Sequence, residues 1–258
     1  MAMDFITIVF LVYSFLAFYF LFLFILTYIH NKKEFFSVPP ITKEYSLSMV
    51  VPCFNGGEHI AETIKGLLNL KYNNLKKIIV VDDCSTDNSY AIAKEYEKKY
   101  PDKIKVVQTP KNTGCSAGAK NYGAKFVNTE LIGFTDDDSL PEKDSVNYMI
   151  GFFDDNKVGA VTSTVLVQNR NNFILRLQSI EYKVIKFSRK LLEFLDSIYV
   201  TPGPLAIYRK SAFEDVRGFD EKNLTEDIEI TWHLQYKGYK IKMAVPSRVY
   251  SIAPDKIK

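Results

Sequence analysis

Four short apolar runs constrain this chain more than anything else in it. LSMVVP (47–52), KKIIVVDD (76–83), IKVVQ (104–108) and LIGFT (131–135) are each about one strand long. The segments between them carry helical spacing. Glu58–Leu70 has apolar residues at Ile60, Ile64, Leu67 and Leu68, Ser89–Tyr100 is a charged amphipathic stretch, and Ala117–Val127 is rich in small residues. Apolar strands alternating with helices predict a largely parallel sheet covered on both faces. In such sheets ligands bind at the carboxyl ends of the strands. The later third is less regular. Val158–Val167 reads as a strand and Phe173–Leu195 as a helix. Thr201–Phe213 breaks at Pro202-Gly203-Pro204 and then gives a strand and a helix start, and Thr225–Ile241 reads as a helix followed by a strand.

The amino terminus differs in kind. Phe5–Ile29 carries no charge and exceeds the roughly 20 residues that cross a bilayer. Its central Leu, Ile, Val and Phe residues favour insertion by about 0.3 to 0.6 kcal/mol each. It lacks the basic start, short apolar core and small-residue site of a cleaved leader. The expectation is a signal-anchor helix over residues 1–30, then a polar linker over 31–45 with Phe35 and Phe36 on the membrane surface. Lys32 and Lys33 follow the helix and only Asp4 precedes it as a charge. The positive-inside rule then puts residues 46–258 in the cytoplasm.

Composition narrows the remaining classes. The chain of 258 residues is 47% hydrophobic and 24% charged, as a folded protein is. A net charge of +3, with no basic stripe, argues against a nucleic-acid partner. Cys53, Cys84 and Cys115 are far apart and form no CxxC or CxxH pair, which points to reduced thiols and away from zinc.

The polar residues at the strand ends carry the chemistry. The first run ends in Pro52-Cys53-Phe54-Asn55-Gly56-Gly57-Glu58, the second in Asp82-Asp83, and the fourth in Asp136-Asp137-Asp138. Parallel strands bring all three clusters to one rim. Carboxylates about 5 Å apart repel by roughly 3 kcal/mol per pair at an effective dielectric of 20. Such a rim needs cations, solvent or donors. A divalent metal carrying a diphosphate answers that need, since Mg²⁺ and Mn²⁺ use one or two carboxylates plus phosphates.

VPCFNGGEHI, VVDDCSTDNS, NTGCSAGAKNYG, FTDDDSLP and LTEDIEI together resemble, in order and spacing, the family 2 inverting glycosyltransferases of GT-A fold. The resemblance covers roughly Ser46 to Val249. It implies a Rossmann-like α/β domain over 46–258, with a nucleotide-binding half (46–140) and an acceptor and catalytic-base half (141–258). It further implies that the Pro52–Phe54 backbone and Asp83 hold the donor's base, with Phe54 packing on it and Glu58 near the diphosphate. Asp82 reads equally as a turn carboxylate, and Asp87 as a helix cap. Asp136 and Asp138 match the DxD motif. Asp138 would ligate Mg²⁺ or Mn²⁺, Asp136 would contact sugar or ribose, and Asp137 would point away. Asn112 and Gly114 would form a tight turn. Lys120 would face the diphosphate or else be a solvated helix lysine. Cys115 departs from the lysine of many polymer-forming relatives, which puts a phosphate contact there in doubt.

Asp227 would be the general base, with Glu226 as the alternative or as the residue orienting the loop. Thr225 would also cap the helix that follows. Thr201–Phe213 resembles the acceptor-lining segment of membrane-bound polysaccharide synthases such as chitin, hyaluronan and poly-N-acetylglucosamine synthases. That makes Gly203, Pro204 and Trp232 acceptor-side residues, with a core role the other reading of Trp232. The Q-x-x-R-W motif of processive synthases does not follow before the sequence stops, so the chain reads either as truncated or as a short single-anchor enzyme. The expected function is transfer of a sugar from a nucleotide diphosphate, UDP favoured, to a lipid-linked or polysaccharide acceptor with inversion. A nucleotide-sugar-binding but inactive module is the alternative. A sugar-nucleotide pyrophosphorylase fits less well, because no glycine-rich basic phosphate loop follows the first strand.

Overall fold

The computed structural model describes residues 4–169 and 171–253. Its strands are β1 (Leu47–Cys53), β2 (Leu75–Asp82), β3 (Ile104–Gln108), β4 (Leu131–Phe134), β5 (Leu140–Pro141), β6 (Val158–Val167), β7 (Ala206–Arg209) and β8 (Lys240–Ser251). They form one sheet in the order β3-β2-β1-β4-β7-β6-β8-β5. β1 pairs in parallel with β2 and β4, and β2 with β3, as the alternating runs predict. The centre of this half is buried on both faces. Met49, Val51, Ile78 and Val80 enter one apolar cluster, and Val50, Ile79 and Val81 enter another on the opposite side.

The covering helices are α2 (Ile60–Leu68), α3 (Ser89–Lys99) and α4 (Ser116–Ala124). α2 buries Ile60, Ile64 and Leu67, the face its spacing marks out. α4 seats closely because its residues are small. α5 (Asn147–Ile150) and a 3₁₀ turn (Gly151–Asp154) lead into β6.

The second half departs from simple alternation. β7 runs antiparallel to both β4 and β6, whereas β6 and β8 are parallel. β7 is followed by α7 (Lys210–Asp215), then α8 (Glu226–Tyr236) and β8. The two-residue β5 pairs with Val249 and Tyr250 of β8, too short a run to show in any periodicity.

α1 spans Phe5–Asn31, and Asp4 accepts a hydrogen bond from the Thr7 backbone N–H at 2.7 Å to cap it. Its length and apolar composition suffice to cross a membrane. The linker corrects one expectation. Phe36 is exposed, but Phe35 is buried, packed on Tyr28 of α1 and on Phe187 with ring centroids 5.8 and 5.3 Å away. Phe187 belongs to α6 (Phe173–Glu193), so Phe35 ties the end of α1 to the body of the protein.

Candidate active site

The loops at the carboxyl ends of β1, β2, β3 and β4 meet on one rim. The loop after β1 is tied to the loop after β2, because Asn55 and Gly57 N–H groups donate to Ser85 Oγ and Asp87 at 3.0 Å each. Asp87 also accepts from the Ser89 N–H at 2.9 Å, but the N-cap position of α3 is Asn88, so Asp87 braces the helix start from one residue further out.

Asp83 ties the loop after β3 to the end of β2. It is buried, and its carboxylate accepts from Thr109 Oγ1 at 2.7 Å, Thr113 Oγ1 at 2.7 Å and the Thr113 N–H at 3.0 and 3.1 Å. These donors fill most of the acceptor sites of a carboxylate. Asp83 therefore holds the 109–115 loop under the rim. Asn112 closes that loop, donating to Asp83 O at 2.9 Å and accepting from the Gly114 N–H at 2.8 Å. Gly114 has φ +79°, the left-handed conformation that a tight turn asks of glycine. Asp82 is a strand-end carboxylate, with Oδ2 accepting from Gln108 Nε2 at 2.8 Å.

A cleft of about 410 Å³ opens above these loops, lined among others by Pro52, Phe54, Asn112, Cys115, Asp136 and Asp138. Phe54 is half-exposed at its mouth. The structure thus gathers the expected base-binding segment and both DxD carboxylates into one concavity. Glu58 is not with them; its side chain is 92% exposed, 3.9 Å from His59 Nε2. Asp137 lines the cleft too, but it packs inward. A Cβ on Gly56 would collide with its carboxylate, and its carbonyl accepts from Thr63 Oγ1 at 2.7 Å. Burial raises its pKa, and the thiol of Cys53 beside it is also held protonated by burial and by Asp137.

Asp136 is the most strongly perturbed carboxylate of the cleft. Burial, then Asp227, Asp138 and Asp137, push its pKa up to about 7 against the pull of Lys120. It has more negative neighbours than one lysine neutralises. Lys120 is the second correction. It is 2% exposed, neither solvated nor turned to the cleft, with Nζ 3.1 Å from Glu226 Oε1 and 3.4 Å from Asp227 Oδ1. Burial alone would lower its pKa, but Asp227, Asp136 and Glu226 more than offset that and raise it.

Asp227 stands in the first turn of α8 with Glu226 and Glu229. Burial raises its pKa, Lys120 opposes the rise, Glu226 adds to it, and the Gly203 N–H lowers it again. Thr225 occupies the N-cap position without a side-chain cap bond; its hydroxyl instead donates to Asn223 Oδ1 at 3.0 Å. Gly203 is the hinge between the two clusters. A Cβ there would lie 2.8 Å from both Asp136 carboxylate oxygens, so only glycine lets the strap formed by residues 201–205 lie against that carboxylate. The strap is stitched on both sides. Thr201 Oγ1 meets Tyr208 Oη at 2.7 Å and Thr231 Oγ1 at 2.9 Å, and Leu205 O accepts from Ser163 Oγ at 3.0 Å. Pro204 O accepts from Thr135 Oγ1. Trp232 is 61% exposed, which overturns a core role.

Sequence reasoning missed the partners more than the principals. Thr109, Thr113 and Thr201 give no signal of their own, although Thr113 sits inside the NTGCS segment already singled out.

Among the described residues no three His, Cys, Asp or Glu side chains converge as a ready metal cage. Asp136 and Asp138 offer two oxygen donors in one cleft, and Asp138 is held by Ser139 Oγ at 3.2 Å. All-oxygen donors that are short of countercharge fit a hard divalent cation whose shell is completed by phosphates.

The glycosyl transferase family 2 profile matches residues 48–217, the whole rim together with the strap. The chain belongs to glycosyl transferase family 2. Among curated relatives, a poly-beta-1,6-N-acetyl-D-glucosamine synthase of Staphylococcus aureus is 31% identical over 242 residues, covering 92% of this chain and 56% of its own. That of Staphylococcus epidermidis is 31% identical over 213 residues, covering 82% and 51%. The chain spans about half the length of the curated relatives it matches. Solved structures share the fold. A mannosyltransferase of Pyrobaculum calidifontis, in complex with GDP-Man and Mn²⁺, superposes with a TM-score of 0.71 at 20% identity, covering 91% of this chain and 66% of the other. S. aureus TarS in complex with UDP-GlcNAc superposes with a TM-score of 0.59 at 21% identity, covering 82% and 60%. The fold is therefore the GT-A glycosyltransferase fold, with one apolar helix in front.

Proposed function

We propose that this chain is a membrane-anchored inverting glycosyltransferase that moves one sugar from a UDP-sugar to a hydroxyl of a glycan or lipid-linked acceptor. UDP-N-acetylglucosamine is the first donor to test, because the relatives' names carry that sugar and TarS is solved with that nucleotide-sugar. The observation that carries the reading is the contact of Gly203 with both Asp136 and Asp227. It joins a donor-side carboxylate to a candidate base on the acceptor side.

In this reading Pro52 and Phe54 frame the donor's base, and Asp83 acts by holding the 109–115 loop beneath it. Asp136 and Asp138 would hold Mg²⁺ or Mn²⁺, which when bound supplies Lewis-acid charge to the departing diphosphate. Asp227 accepts the proton of the acceptor hydroxyl as its oxygen attacks C1. The new C1–O bond forms as the bond from C1 to the diphosphate breaks, and UDP leaves with that electron pair. The raised pKa of Asp227 brings it toward the range where a general base is most effective. Lys120 keeps it ionised. Gly203 and Pro204 form the acceptor wall, and exposed Trp232 offers an aromatic face beyond it. α1 crosses the membrane with Lys32 and Lys33 inside, leaving the catalytic domain in the cytoplasm.

The test is sugar transfer from labelled UDP-N-acetylglucosamine by the full chain in membranes, with Mg²⁺ or Mn²⁺ and with chelator. Asp227→Asn should reduce turnover at least a hundredfold while donor binding persists. Undiminished transfer by that variant would remove the base assignment, and full turnover in chelator would remove the metal.

A further inference from the structure

The strap has a second side. Gly203 lies against Asp136, while Pro202 and Pro204 line a cavity of about 460 Å³ to which α6 brings Gln178, Tyr182, Lys186 and Arg189. Burial raises the pKa of the Tyr182 hydroxyl, and Glu181 and then Asp138 raise it further. The cavity therefore borders the DxD carboxylates without being part of their cleft.

Its cations lack partners. Arg189 is 6% exposed, and its Nε has no hydrogen-bond partner. Burial lowers its pKa, and Tyr199 rather than a carboxylate opposes the fall. Lys186 stands one turn earlier on the same helix. Burial lowers its pKa too, and Arg248 and Lys183 push it the same way. Among the described residues no carboxylate pairs with either cation, and Glu181 at the edge of the cavity is exposed. The contrast with the other buried cations is direct. Lys120 and Lys190 each meet a glutamate, at 3.1 and 2.6 Å. A buried charge is ordinarily paired, because leaving it alone in a low dielectric is costly. An orphan acceptor lies in the same cavity, since Gln178 Oε1 is buried without a partner.

We propose that this cavity is a subsite for an acidic sugar unit of the acceptor, whose carboxylate or phosphate pairs with Arg189 and Lys186 while a hydroxyl of the same unit donates to Gln178 Oε1. The proposal rests on the reading of the strap as the acceptor wall. A guanidinium presents a planar fork of donors that matches the paired oxygens of carboxylate and phosphate. A neutral sugar leaves both cations without countercharge, and an anion without hydroxyls leaves Gln178 without a donor. The acceptor is thereby narrowed to glycans or glycolipids that carry an acid close to the hydroxyl under attack.

Ligand-detected NMR on the full chain in phosphatidylcholine nanodiscs tests this. The probes are methyl glucuronide, glucose 6-phosphate and neutral methyl glucoside, each with and without UDP and Mg²⁺. At least one acidic sugar should bind about tenfold more tightly than methyl glucoside, as a charge-assisted pair provides, and the arm that does so tells carboxylate from phosphate. Arg189→Gln and Lys186→Gln should each remove most of that preference and leave UDP affinity unchanged. Equal binding of all three sugars, or a preference that survives both variants, overturns the proposal. A fall in UDP affinity in Arg189→Gln assigns the cation to the donor and overturns it as well. If UDP does not bind the unmodified chain, the donor reading fails, and the arms without UDP still decide this one. Arg189→Met separates a ligand role from a scaffold role. Removing an unpaired buried charge should hold or raise the melting temperature, whereas a fall of about 5 °C or more makes Arg189 a structural residue and refutes the subsite.

Discussion

Replacing Lys120 with methionine separates an electrostatic role from a packing role at the centre of the site. The lysine is buried, with Nζ 3.4 Å from Asp227 Oδ1 and 3.1 Å from Glu226 Oε1. At an effective dielectric of 20, a pair of unit charges 3.4 Å apart attracts by about 5 kcal/mol. Asp227 keeps some contact with solvent, so that figure is an upper limit on the attraction. Methionine is similar in length and apolar, so the cavity stays filled while the charge goes. Loss of a nearby cation favours the neutral carboxyl, so the pKa of Asp227 rises further. The acid limb of the kcat/KM profile, which reports the base of the free enzyme, should move to higher pH. Transfer on the acid side of that limb should fall about tenfold or more and recover on the alkaline side. Lys120→Arg keeps the charge and should leave the limb in place even if kcat suffers. The assay is initial transfer rate across pH 5.5 to 9.5, with circular dichroism to confirm folding. If Lys120→Met loses activity equally at every pH, Lys120 acts by shape and the electrostatic argument fails.

Other consequences bear on the donor side. Asp136, with a pKa near 7 in the folded chain against 3.8 for a free carboxyl, binds more protons folded than unfolded across that interval. Its contribution to stability therefore falls as pH rises from about 4 to 7, by at most about 4 kcal/mol. Raised pKa values at Asp137 and Asp227 act in the same direction, and lowered ones at Asp87, Glu97 and Glu130 oppose them. Melting curves between pH 5 and 8 should show a flatter decline, or a steeper gain, for Asp136→Asn than for the unmodified chain; identical slopes would contradict the burial argument. Gly203→Ala pushes a methyl group against the Asp136 carboxylate. It should cost at least tenfold in transfer with little change in melting temperature, and wild-type rates would show that the strap yields freely.

Much of the fold is legible in the chain because strands 47–53, 75–82, 104–108 and 131–134 are local apolar runs whose neighbours are helical by period. The uncharged helix at the amino terminus is legible for the same reason: composition over 25 residues needs no partner to be read. So are the motif segments, since their order along the chain survives folding. Distance between segments does not. NTGCS and VVDD read as two halves of a nucleotide site, and only the fold brings the Asp83 carboxylate to Thr109 and Thr113, 26 and 30 residues away. Lys120 reads as a helix lysine, and only the tertiary fold sets it beside two carboxylates at the start of α8, more than a hundred residues on. Glu58 belongs to a recognisable loop and still ends in solvent.

The sequence by itself determined the class of sheet, the apolar span and the strand ends where carboxylates gather, because each follows from the period and polarity of a contiguous run. Only the tertiary structure decided which of those carboxylates shares a cleft, which is held as scaffold, and which is paired to a buried cation. Those outcomes depend on hydrogen-bond donors and charges from distant segments meeting within a few ångströms in a low-dielectric interior, where a single added or absent partner changes whether a carboxyl is ionised.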